Sequence, residues 1–366
     1  MAVATRTDCA VEHLSVSAYT VPTDEPESDG TLAWDSTTIV VVEVQAGGGS
    51  GLGYTYGPAA IAALIEAELG PIVHGSNAVA PACTQAQMCT HLRNAGHPGV
   101  AMSAVSAVDI ALWDLKARLL DVPLADLLPR AHRCVPVYGS GGFTSYTLDR
   151  LREQLGGWVA EGVPRVKMKL GGEPTRDPER LDAARQAIGD EAELYVDANG
   201  AFAPKEALGW AKRYAREWGV TWFEEPVSSG DLDGLRFVRE HAPLDVAAGE
   251  YAYVAADFRT LVGRVDCLQA DVTRCGGVTG VLQVAGFAAT HALPLSGHCA
   301  PAASVHPLCA APTLRHHEWF HDHVRIERMF FDGFLEPVNG ELQPDASRPG
   351  HGLELKRPDV QRYAVA

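Results

Sequence analysis

The chain has 366 residues, 46% of them apolar and 21% charged, and its 46 acidic against 30 basic side chains give a net charge of −16. That length holds two or three domains with ample core, and the composition is that of a globular protein rather than a disordered one. No broad basic face exists for nucleic acid. The most apolar long stretch, residues 277–297, is interrupted by Gln283, Thr290 and His291, so no membrane span is expected.

The first nine residues lack a basic segment followed by an apolar run, so no signal peptide is expected. The eight cysteines are scattered without a C-x-x-C pair, which predicts free thiols in a reducing cytoplasm. Residues 23–30 read as a polar, acidic loop, with Asp24, Glu25, Glu27 and Asp29 solvated. The β-branched run at 37–45 reads as a strand. Glycine-rich residues 47–53 read as a hairpin turn or mobile loop; they match neither G-x-x-x-x-G-K-[ST] nor a complete G-x-G-x-x-G, so they form no phosphate cradle. Over 102–120, Val105, Val108, Leu112, Leu115 and Leu119 recur at helical spacing and share one face of a predicted helix. The first 130 or so residues therefore read as an α+β domain.

From Cys134 onward, short β-rich runs alternate with helical stretches. The runs end in Lys169, Asp197, Glu224, Glu250, Asp271 and His298, spaced 21 to 28 residues apart. One strand, one helix and two short loops need about that length. Polar residues at successive C-terminal strand ends are the pattern of a (β/α)8 barrel, whose active site lies on that face; a doubly wound sheet is the other architecture with this alternation.

Lys167 and Lys169 are two of only six lysines, and i, i+2 residues of a strand share a face. Mutual repulsion and burial should lower their pKa toward that of a usable general base. Three carboxylates in register, Asp197, Glu224 and Glu250, call for a divalent cation, and an all-oxygen set favours Mg²⁺. Asn199 either supports the metal shell or shapes the turn, and alternation should point Glu225 away from Glu224. Asp271 and His298 end the next two strands; a carboxylate on one imidazole nitrogen fixes the tautomer and raises the basicity of the other. Glu318, 20 residues later, is a hydrogen-bond donor or orienter at the end of the last strand.

Lys167-Met-Lys169, Asp197-Ala-Asn199, Glu224-Glu225-Pro226, Gly249-Glu250, Asp271-Val-Thr-Arg-Cys-Gly-Gly277 and Ser296-Gly-His298, in this order, make the chain resemble the enolase superfamily and, within it, the mandelate racemase-like group (the mandelate racemase/muconate lactonizing enzyme family). The resemblance implies an α/β fold: a modified (β/α)7β TIM-type barrel at 134–328, an α+β N-terminal capping domain at 1–133, and a C-terminal segment at 329–366 that returns to the capping domain. It implies one Mg²⁺ on Asp197, Glu224 and Glu250. The Asp271–His298 dyad, in place of a second catalytic lysine, sets the chain apart from muconate-lactonizing-like relatives. Arg274 stands where relatives often have lysine, and its role is unassigned.

The chemistry so implied is Mg²⁺-dependent removal of the proton α to a carboxylate through an enediolate, with a Lys or His base. Lys169 and His298 are the acid/base pair, and Lys167 and Glu318 stabilise the intermediate. Dehydration of a sugar acid to a 2-keto-3-deoxy acid is the favoured outcome, and racemisation or epimerisation of a 2-substituted acid the alternative. The expected partner is a small carboxylate, bound by a homo-oligomer. Two distant rivals stand beside this reading. His317-Glu318-Trp319-Phe320-His321 matches the zinc-peptidase motif H-E-x-x-H, although its neighbours read as strand rather than helix. A non-catalytic scaffold is the other.

Overall fold

The structure is a computed structural model and describes residues 9–365. The segment 1–8, in which no signal peptide is expected, lies outside the described residues. Three antiparallel strands open the fold: β1 (His13–Ser28), β2 (Ala33–Ala46) and β3 (Gly49–Tyr56), in spatial order β1-β2-β3. Val40, Val42 and Val44 of β2 are fully buried on the face that meets the helix Val100–Leu119.

Two expectations fail here. Residues 23–28 are not a loop: β1 runs through them, with a register shift between Pro22 and Glu27. Tertiary partners take up the charges that argue against a strand. Arg150 meets Glu25 at 3.1 Å, and His321 meets Asp24 at 3.0 Å. Glu27 is not solvated but fully buried, accepts a hydrogen bond from Trp34 Nε1 at 2.8 Å, and is pushed up to about 9 by burial and the nearby Asp322. The glycine-rich segment turns at Gly47 and Gly48 but then becomes β3. Its glycines serve close packing: a Cβ on Gly53 would lie 2.1 Å from the Ala107 carbonyl, and one on Gly51 would lie 2.2 Å from that of Ala111. The strand can rest on the helix because neither position carries a side chain.

Eight parallel strands follow: β4 (Val135–Gly141), β5 (Arg165–Lys169), β6 (Glu193–Asp197), β7 (Val220–Glu224), β8 (Asp245–Ala248), β9 (Cys267–Ala270), β10 (Leu295–Gly297) and β11 (Leu314–Phe320). They pair in sequence order, and β11 pairs with β4, so the sheet is closed. The architecture is a modified (β/α)7β barrel with seven linking helices, from Leu148–Ala160 to Pro301–Leu308. These helices form because an apolar stripe recurs at helical spacing. In Pro204–Trp218, for example, Ala207, Ala211, Tyr214 and Trp218 are the buried face, and Gly219 ends the helix in the left-handed conformation.

Side chains fill the barrel interior. Tyr138, Tyr195, Trp222 and His316 stand two residues before Ser140, Asp197, Glu224 and Glu318 on their strands, and their rings pack at centroid distances of 4.8 to 6.4 Å. The period-2 pleat thus stacks a layer of polar side chains on an aromatic floor. Above the mouth, the β1–β2 turn comes so close that a Cβ on Gly30 would lie 2.4 Å from the Ala198 carbonyl and 2.6 Å from that of Leu170. The C-terminal segment binds back to the antiparallel sheet. His351 Nε2 donates to the Leu52 carbonyl at 2.7 Å, and Asp114 accepts the His351 amide at 2.8 Å.

Candidate active site

The polar layer at the C-terminal ends of the strands contains the expected metal, acid/base and supporting residues, and all of these except Arg274 and Asn199 are almost fully buried. Lys169, Asp197 and Glu224 are the last residues of β5, β6 and β7. Glu250 lies two residues past β8; Asp271 and His298 follow β9 and β10 directly; Glu318 is within β11. Adjacent strands in register place Lys169 beside Asp197 and Asp197 beside Glu224.

Ion pairs join these groups. Lys167 Nζ lies 2.5 Å from Glu224, 2.8 Å from Glu318 and 3.2 Å from Asp197, and Lys169 Nζ lies 2.6 Å from Asp197. The sequence argument that burial and repulsion lower both lysine pKa values is therefore overturned. Burial does act downward, but Glu224 and Glu318 outweigh it at Lys167 and Asp197 outweighs it at Lys169, so both are held above the ordinary lysine range. Glu224 is pushed up to about 8 by burial and by the charge of Asp197.

Opposite β5, three strands away around the ring, His298 Nδ1 bonds Asp271 Oδ2 at 2.7 Å. Its Nε2 lies 3.1 Å from Glu250 and 3.5 Å from Glu318. Burial opposes protonation of His298, but Cys299, Glu250 and Glu318 raise its pKa well above the usual imidazole range. Arg274 Nη1 lies 3.5 Å from the Glu250 carboxylate and 3.1 Å from its backbone carbonyl, and Nε lies 3.5 Å from Asp271. It braces the two carboxylates that flank His298.

Left-handed backbone shapes the rim. Asn199, Glu225, Cys299 and Ala300 all have φ between 38° and 48°. The Asn199 amide donates to Asp197 Oδ1 at 2.9 Å, while its own side-chain oxygen is buried without a partner. Strand alternation does not govern Glu225, because its backbone has already left the extended region. Its buried carboxyl lies in the field of Glu250, Asp197 and Glu224, and burial with those charges holds its pKa high. Sequence reasoning missed Ser140, whose hydroxyl donates to Glu318 Oε1 at 2.6 Å, and Cys299, whose amide donates to Glu318 Oε2 at 3.1 Å. Ser140's position two residues after the buried Tyr138 was the available signal. Nothing comparable pointed to Cys299.

The H-E-x-x-H motif does not form a zinc helix. His317 and Glu318 are on β11, and His321 begins the next helix and pairs with Asp24. His317 packs beside Gly297, with both ring nitrogens unpartnered.

The chemistry of the donor set fits a hard divalent cation. Asp197, Glu224 and Glu250 are buried carboxylates, and the buried oxygens Asn199 Oδ1 and Glu225 Oε1 beside them lack partners. Among the described residues no helix is long and apolar enough to cross a membrane.

Comparison with known proteins gives the same assignment along the chain. Residues 15–129 match the mandelate racemase/muconate lactonizing enzyme N-terminal domain, and residues 150–360 match the enolase C-terminal domain-like family. The 3,6-anhydro-alpha-L-galactonate cycloisomerase of Streptomyces coelicolor is 32% identical, over 97% of this chain and 99% of its own. A mandelate racemase/muconate lactonizing enzyme-like protein from Rubrobacter xylanophilus is 59% identical and superposes with a TM-score of 0.96, over 97% of this chain and all of that one. L-talarate/galactarate dehydratase from Salmonella typhimurium, solved with Mg and L-lyxarohydroxamate, is 26% identical with a TM-score of 0.90, over 100% of this chain and 95% of that one.

Proposed function

The chain belongs to the enolase superfamily, in its mandelate racemase-like group of Mg²⁺-dependent enzymes, and from that membership we propose that it dehydrates a sugar acid to a 2-keto-3-deoxy acid. Asp197, Glu224 and Glu250 would hold the Mg²⁺. The ion would offset the charge of Asp197, the partner of Lys169, and would polarise the substrate carboxylate.

Lys169 then removes the proton from Cα. Lys167 balances the negative charge that develops on the carboxylate, with Glu318, itself held by the Ser140 hydroxyl, fixing its ammonium group. His298, protonated and oriented by Asp271, delivers its proton to the departing β-hydroxyl, and the enol product tautomerises to the 2-keto-3-deoxy acid. The observation that carries the reading is the pairing of His298 with Asp271 at 2.7 Å, three strands from Lys169. An imidazole oriented through Nδ1 by a carboxylate on the far side suits a general acid for a leaving group.

A second outcome is favoured by the cycloisomerase relative. Where the β-oxygen belongs to a ring, the same elimination opens the ring, and the net reaction is an isomerisation. Racemisation or epimerisation would instead require His298 to return its proton to carbon. A sugar-acid and anhydro-sugar-acid panel, run in D₂O and assayed for 2-keto-3-deoxy products, separates these outcomes. Stereoisomers labelled at Cα, without any keto product, would rule out elimination.

A further inference from the structure

Cys299 takes no part in the chemistry above, yet its thiol is buried against the acid/base pair. Its Sγ lies 3.5 Å from His298 Nε2 and 3.4 Å from Glu318 Oε2, and these two atoms lie 3.5 Å apart. The three ligand atoms form a nearly equilateral triangle. Zinc bound at about 2.0–2.3 Å by nitrogen, oxygen and sulfur needs tetrahedral edges of roughly 3.3–3.6 Å.

From this triangle we propose that His298 Nε2, Cys299 Sγ and Glu318 Oε2 form a binding site for a soft or borderline divalent cation such as Zn²⁺, separate from the Asp197–Glu224–Glu250 set. Three features support it. A thiolate and an imidazole are the ligands that such cations prefer and Mg²⁺ does not. Asp271 holds His298 Nδ1, the carboxylate–histidine support typical of zinc ligands, so Nε2 is the nitrogen turned to the metal. The left-handed backbone at Cys299 and Ala300 brings the thiol onto the same side as the imidazole that precedes it, which an extended strand would not do. A solvent molecule completes the tetrahedron. Of the H-E-x-x-H residues, only Glu318 takes part, and its histidine partner, His298, directly follows β10 rather than belonging to the motif.

Binding displaces both the thiol proton and the Nε2 proton of His298 to solvent, and it occupies the nitrogen that would carry the catalytic proton. Zinc therefore arrests turnover while the Mg²⁺ carboxylates remain in place. The arrest rests on the role proposed for His298; the binding does not, and binding is what the experiment reads.

Co²⁺ added to the Mg²⁺-saturated protein should produce the near-ultraviolet charge-transfer band of a cobalt–thiolate bond, which carboxylate ligation cannot give. Cys299→Ser should abolish the band and weaken Zn²⁺ binding by roughly tenfold or more, whereas Cys83→Ser, at an exposed thiol, should leave both unchanged. X-ray absorption of the zinc-loaded unsubstituted protein needs no variant to fold; it should show one sulfur at about 2.3 Å. Only oxygen and nitrogen scatterers, or a cobalt–thiolate band that survives Cys299→Ser, would overturn the proposal.

Discussion

Asp271 Oδ2 meets His298 Nδ1 at 2.7 Å, while its other oxygen is held by the Thr273 amide at 2.7 Å and the Thr273 hydroxyl at 2.6 Å. The carboxylate therefore cannot rotate away from the imidazole. Asp271→Asn would keep the shape but lose the negative acceptor. Turnover should fall by about 10²–10⁴-fold, the usual worth of one general acid or base, with KM little changed. Steady-state kinetics checks this, and an unchanged kcat would remove Asp271 from the mechanism.

Lys169 and His298 have separable tasks in an elimination. Lys169→Ala should end both turnover and exchange of the Cα proton. His298→Asn should end elimination while Cα still exchanges with D₂O, because the base on the other face is intact. NMR of the recovered substrate distinguishes the two, and loss of exchange in both variants would contradict the division of labour.

The carboxylate triad should govern cation affinity. Glu224→Gln replaces one charged oxygen ligand with a neutral amide and removes the charge of the 2.5 Å partner of Lys167. Mg²⁺ affinity measured by calorimetry should drop at least about tenfold. Equal affinity in the variant would mean that Glu224 is not a ligand.

Gly53 tests the packing of β3 on its helix. Since a Cβ there would lie 2.1 Å from the Ala107 carbonyl, Gly53→Ala must push the strand outward. A loss of about 1–3 kcal/mol is expected, as for other overpacked sites, read from the urea midpoint. A midpoint equal to that of the unsubstituted protein would show that the strand gives way freely.

His351 should make the attachment of the C-terminal segment sensitive to acid. Nε2 donates to Leu52, and Nδ1 accepts the Leu353 amide at 3.1 Å, so the neutral ring satisfies both bonds. Burial, with the charge of Arg118, lowers its pKa from 6.5 to about 3. Because the folded value lies below the unfolded one, this contribution is complete above about 6.5 and declines as pH falls toward 3. Thermal melts should show the unsubstituted protein losing stability over that range more steeply than His351→Gln. Parallel pH profiles would assign the acid sensitivity elsewhere.

The barrel and its polar rim were legible because local chemistry repeats. An apolar strand ending in a charged residue recurs every β/α unit, and the pleat alone places Asp197 and Glu224 above Tyr195 and Trp222. The helix Val100–Leu119 was legible for a similar reason, its apolar residues returning at one spacing. Where side chains answered to distant partners, the local signal misled. Residues 23–28 form strand, not loop: Arg150 pairs with Glu25, and His321 lies 3.0 Å from Asp24, both contacts made from the barrel.

What the order of residues determined by itself was which chemical groups stand at each strand end, since period, composition and spacing are properties of neighbours along the chain. Tertiary structure alone decided their electrostatic state. Lys167 and Lys169 repel each other on one strand, but closure of the barrel brings carboxylates from β6, β7 and β11 to within 2.5 to 3.2 Å, and Coulomb attraction at that range in a buried site exceeds both repulsion and desolvation.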